Sequence, residues 1–165
     1  MSPEGTVKIY TEFVVLHDDV PMPDEEAFCP SFWQADDFDS DGDFYATGLG
    51  GRWSDLTLRK RVPDGPDSVL TVQVLREARD YPPGLRESHE LERFFDHRRA
   101  GRYDHLPFVK PGADLAVTAL ATETGNLPDY REFLQTVNMF LSHTHGHVIS
   151  PWERDQHSFT TEFLD

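Results

Sequence analysis

A chain of 165 residues carries a net charge of −15, with 38% hydrophobic residues, twelve phenylalanines and one cysteine, Cys29. This length suits one domain over residues 1–165, since domains usually run to ~100–200 residues, and so much apolar and aromatic side chain argues for folding despite the charge. A lone cysteine excludes an intrachain disulfide framework, the acidity opposes nonspecific binding to nucleic acid or anionic lipid, and no stretch approaches the ~20 apolar residues of a membrane helix.

The N-terminal MSPEGTVKIY lacks a basic region followed by an apolar run, so a cytoplasmic chain with no membrane partner is expected. Residues 1–51 hold twelve acids and one base, Lys8, whereas residues 52–110 hold ten acids against twelve bases and residues 111–165 eight against two. The charge therefore sits mainly in the first third, and a basic protein partner fits it better than a polyanion.

In chain order, Val7, Ile9, Phe13 and Val15 alternate with Lys8, Tyr10, Glu12 and Val14, which predicts a strand over 7–16. Residues 17–43 are rich in proline and acid and predict a long acidic, irregular excursion anchored by Phe28, Phe32 and Trp33. DFYATGL over 43–49 reads as a short strand. WSDLTLRKRV and SVLTVQVLRE read as two more, with Leu56, Leu58, Leu70, Val72 and Val74 facing inward as a β-meander. Ser88 is placed to cap a helix carrying Leu91, Phe94 and Phe95, with Arg98, Arg99 and Arg102 at its negative end.

Residues 114–125 fit both periodicities, and a strand is preferred. Asp129 with Glu132 resembles a capping box opening a helix whose apolar stripe is Tyr130, Phe133, Leu134, Val137, Phe140 and Leu141, with Gly146 as its stop. HVIS is then a short strand, and SFTTEFL is a final strand or short helix. The sum is an α+β fold, a mainly antiparallel sheet packed against two amphipathic helices.

Two motifs offer metal chemistry. Asp37, Asp39 and Asp41, followed by Gly42 and Asp43, match the opening of a calcium-binding loop. Position twelve of that loop is Gly48 where a bidentate glutamate is required, and a solvated turn accounts for the same residues. His143, His145 and His147 could bind zinc if their rings converged, but histidines at a helix end also complement its free carbonyls. No cofactor is expected, and zinc and calcium are the alternatives. Cys29, between Phe28 and Pro30, reads as a small buried anchor, and no nucleophile elbow, P-loop or dinucleotide fingerprint is present.

The C-terminal third, LPDYREFLQTVNMFLSHTHG, HVISPW and HSFTTEFLD, resembles small α+β immunity proteins of bacterial polymorphic-toxin systems. That resemblance implies a cytoplasmic, non-enzymatic protein that neutralises a toxin by binding it. In the N-terminal third, Phe32, Trp33, Phe38, Phe44 and Tyr45 interleave with Asp36, Asp37, Asp39, Asp41 and Asp43, a composition that suits an interface. Trp33, Tyr45 and the five aspartates are thus the expected partner-binding residues. The alternatives are a metal-dependent hydrolase built on the histidine cluster, and a DNA mimic or a domain with a structural role.

Overall fold

Six strands build one antiparallel sheet, which the computed structural model describes over residues 8–42, 53–77 and 91–164, with buried and partly exposed positions alternating along some strands and continuous burial along stretches of others. The strands are β1 (Ile9–Asp18), β2 (Phe38–Gly42), β3 (Asp55–Lys60), β4 (Ser68–Arg76), β5 (Leu115–Thr124) and β6 (His147–Ser150), in the spatial order β2-β3-β4-β5-β1-β6. β2, β3 and β4 form the expected meander. The N-terminal strand lies inside the sheet, between β5 and β6.

Three helices accompany the sheet among the described residues, α1 (Glu92–Arg99), α2 (Leu127–Thr144) and α3 (Gln156–Phe163). The fold is α+β as expected, with one helix more than the two anticipated, because the tail read as strand or helix is α3. β5 contributes residues to both faces, which explains its mixed periodicity: Ala116 and Leu120 join Phe13 and Val15 of β1 on one side, while Leu115, Val117 and Ala119 join Val14 and Leu16 on the other. On the first side, Phe133, Val137 and Phe140 of α2 and Phe159 of α3 complete the core, with Phe159 edge-on to Phe13 at 5.3 Å. On the second side, Phe94 and Phe95 of α1 pack with Tyr103 and Leu106 from the segment that follows it.

Both ends of α2 differ in detail from the sequence reading. Its cap is Asn126, whose side chain accepts from the Asp129 backbone N–H at 2.9 Å, with Pro128 in the first turn. Asp129 is instead drawn inward, accepting from Lys60 Nζ and Ser68 Oγ at 2.6 Å each and from Asn126 Nδ2 at 2.9 Å. The capping box fails because these buried partners hold the carboxylate of Asp129, while Glu132 turns to Ser31. At the other end, His145 takes the left-handed conformation with φ 56°. Gly146 is required for a different reason, since a Cβ there would lie 2.6 Å from Val15 Cγ1.

The two sheet edges are finished differently. At β6 the chain doubles back, and Val148 exchanges two backbone hydrogen bonds with Arg154 at 2.9 and 3.0 Å. Arg154 is nearly buried, its guanidinium 4.4 Å from the Trp152 ring and 4.9 Å from the Phe163 ring, and Nη1 lies 3.0 Å from Glu162 Oε2. At β2 no other described strand pairs beyond it. No helix among the described residues is long and apolar enough to cross a membrane.

Candidate partner-binding surface

Residues 17–43 are not one irregular excursion. β1 runs on through His17 and Asp18, the middle contains two short 3-10 turns, Glu25–Ala27 and Pro30–Gln34, and the end is strand β2. The part between the strands is a strap laid antiparallel along α2. Three clamps hold it: His143 Nε2 meets the Pro21 carbonyl at 2.9 Å, the Cys29 N–H donates to Thr136 Oγ1 at 2.9 Å, and Ser31 donates its N–H and hydroxyl to Glu132 at 2.9 and 2.6 Å. Positions 132, 136 and 143 lie on one stripe of the helix, as 3.6-residue periodicity requires. Met22, Phe28 and Phe32 are the apolar anchors beneath.

This arrangement sorts the expected partner-binding residues. Asp36, Asp37, Asp39 and Asp41 are exposed, and none forms an ion pair with another described residue. Alternation on β2 puts Asp39 and Asp41 on the same side of the edge strand, at a spacing of roughly 7 Å. Gly42 makes the pairing with β3 possible: its φ is 130°, and a Cβ there would stand 2.1 Å from Asp55 O. Trp33 is half-buried against Phe38 at 4.8 Å with its indole N–H donated to the Phe28 carbonyl, and Phe32 lies in the core under the Lys60 ammonium. Asp43, Tyr45, Phe44 and the strand expected over 43–49 lie outside the described residues, as does Ser88.

The candidate metal ligands are dispersed. His143 serves the strap, His145 is exposed at the helix end, and His147 Nε2 faces Glu153 Oε1 at 3.7 Å, an oxygen that also meets His105 Nε2 at 2.6 Å. Desolvation lowers the pKa of His147 against the opposing pull of Glu153 and Asp155. No group of three or more His, Cys, Asp or Glu side chains among the described residues is placed to hold a metal ion. Asp39 and Asp41 sit on an extended strand, whereas a calcium loop has to wrap its carboxylates around the ion. Burial pushes the Cys29 thiol up to about 12, which leaves almost no thiolate for nucleophilic chemistry.

Sequence reasoning missed the clamps Ser31, Glu132, Thr136 and Pro21. A signal existed in the polar positions Glu132, Thr136 and His143 spaced along an otherwise apolar helix face, but their partners lay more than a hundred residues away. Comparison with protein-family models, with curated proteins and with solved structures returns no match.

Proposed function

We propose that this chain is a non-enzymatic binding protein of the cytoplasm, an immunity or inhibitor protein that neutralises a basic protein partner through the carboxylates of Asp36, Asp37, Asp39 and Asp41. The observation that carries the reading is that these four are exposed, close in sequence and free of ion pairs with any described residue, on and beside the outer strand. Exposed carboxylates on and beside a fixed strand favour encounter with a positively charged cleft and give its Arg and Lys side chains acceptors. The strap is clamped before any partner arrives, so little ordering entropy opposes association.

Charged side chains on an edge strand also have a simpler use, which is to keep it from pairing with another copy of the chain. The two roles separate experimentally. The wild type and a variant with all four aspartates changed to Asn are used to capture partners from the native host, and their oligomeric state is measured by sedimentation. The proposed function predicts a basic protein retained in a stoichiometric complex by the wild type, released by added salt and lost with the variant. Equal retention by the variant, or self-association of the variant with no basic partner for the wild type, refutes it.

A further inference from the structure

Between its first two clamps the strap lifts off α2. Pro21 is tied to His143 and Cys29 to Thr136, and the residues between them arch over an open groove of about 680 Å³. Met22 and Asp24 of the strap form one wall, and Asn138, Met139, Ser142 and His143 of α2 form the other. Sites for small ligands commonly enclose ~300–1,000 Å³, so the opening is large enough for a partner's side chain.

The chemistry of the walls narrows the occupant. Met139, half-buried, is unbranched and polarisable, suited to a flexible aliphatic stem, while Met22 is buried at the groove's edge. Asp24 and Ser142 supply acceptors to the groove. Asp24 is exposed and forms no ion pair with a described residue. Because the Pro21 carbonyl can only accept, His143 Nε2 donates to it. Ser142 adds a hydroxyl oxygen, in the last turns of a helix whose free carbonyls make that end negative. Residues 17–42 contain nine acids and no Lys or Arg, so an anion would find no counter-charge on the strap. Asn138 Oδ1 is already occupied, accepting from Gln156 Nε2 at 3.1 Å and Thr160 Oγ1 at 3.2 Å.

We infer that this groove seats an arginine side chain of the basic partner, with the methylene stem along Met139 and the guanidinium against Asp24 and Ser142. The inference rests on the proposed function for the identity of the partner, and it adds a second contact, distinct from the β2 edge. Arginine fits better than lysine because its planar fork can donate to several acceptors at once.

The probe is N-acetyl-L-arginine amide, titrated into the full chain and followed by NMR, with N-acetyl-L-norleucine amide as the neutral control. Saturable shifts are expected at the Met22 and Met139 methyls and the Asn138 side-chain amide, absent with the norleucine compound. Asp24→Asn should weaken the response by about fivefold, the upper range for one exposed charge pair. Met139→Lys should abolish it by placing a competing amine in the groove. No saturation, an equal response to the norleucine compound, or full affinity in Asp24→Asn overturns the inference. The variant with Asn at positions 36, 37, 39 and 41 should still bind the probe. If that variant loses the probe while Asp24→Asn keeps it, the groove is overturned and the acidic edge stands.

Discussion

His17 provides a quantitative test of how the strap end of the sheet is built. Its ring is fully buried, edge-on to Phe140 at 5.1 Å, with Nδ1 2.7 Å from the Asp18 carbonyl and Nε2 2.7 Å from Thr118 Oγ1. A carbonyl only accepts, so Nδ1 carries the proton, and Nε2 accepts from the Thr118 hydroxyl: both ring nitrogens are satisfied by the neutral form. Desolvation is the main force lowering its pKa from 6.5 to about 4, and the nearby charge of Arg76 and the ring of His143 act in the same direction.

A folded-state pKa below the unfolded value means that the unfolded chain binds the proton first. The stability contributed by neutral His17 is therefore complete above the unfolded pKa of 6.5, falls as pH drops towards about 4, and is constant below that. The full span corresponds to about 3 kcal/mol, of which about 2 kcal/mol is lost by pH 5. Urea unfolding from about pH 7.5 to about pH 5 should show the wild type losing about 2 kcal/mol more than His17→Gln, which keeps a donor and an acceptor but does not titrate. Other acid-sensitive groups are common to both proteins and cancel in the difference. Parallel pH profiles, or an NMR titration of the His17 ring with a midpoint near 6.5, would refute the reasoning.

Asp129→Ala should destabilise the chain by about 3 kcal/mol in urea unfolding, because it strands the partly buried Lys60 ammonium and removes the acceptor for Ser68. Desolvation alone would raise the Asp129 carboxyl, but hydrogen bonds from Lys60, Ser68 and Asn126 outweigh it and hold it low, so this contribution is present above the usual carboxylate range and lost as pH falls through the depressed value. Cys29 should resist alkylation at neutral pH until the protein is unfolded, since its thiol is buried and pushed up to about 12, and rapid labelling of the native protein would contradict the clamped strap. Gly42→Ala should detach β2 from β3, with hydrogen exchange rising over Phe38–Gly42 and unchanged in β5.

Much of the sheet was legible because one physical signal dominates each strand. Leu56, Leu58, Leu70, Val72 and Val74 face one core and alternate with partly exposed neighbours, so period two appears directly in the sequence. β5 was harder for the opposite reason: covered on both faces, it buries six consecutive residues, Leu115 to Leu120, and the alternation disappears. β2 was hidden by composition, since FDSDG has little strand propensity and is held by pairing with β3 and by the close approach that only Gly42 permits. The candidate site was legible as a run of acids, but not as a surface. The clamps that fix it join residues whose separation in sequence, such as 107 between Cys29 and Thr136, leaves no local pattern to read.

An acidic segment with few strand or helix formers would ordinarily remain disordered, because like charges repel and little apolar surface is available to offset chain entropy. Here the two tasks are divided along the strap. Met22, Phe28, Cys29 and Phe32 point into the core and supply the burial, the three polar clamps set the register against α2, and the carboxylates of Asp24, Asp36, Asp37, Asp39 and Asp41 are left in solvent. Exposed charge of this kind contributes little to holding the strap down, so substituting those aspartates should leave the fold intact while altering whatever the surface meets. The buried anchors behave oppositely: Phe28→Ala would remove a fully buried ring and release strap and acids together. Binding measured on the exposed aspartates therefore reports the surface itself, whereas binding measured on the anchors reports only whether the surface has been assembled.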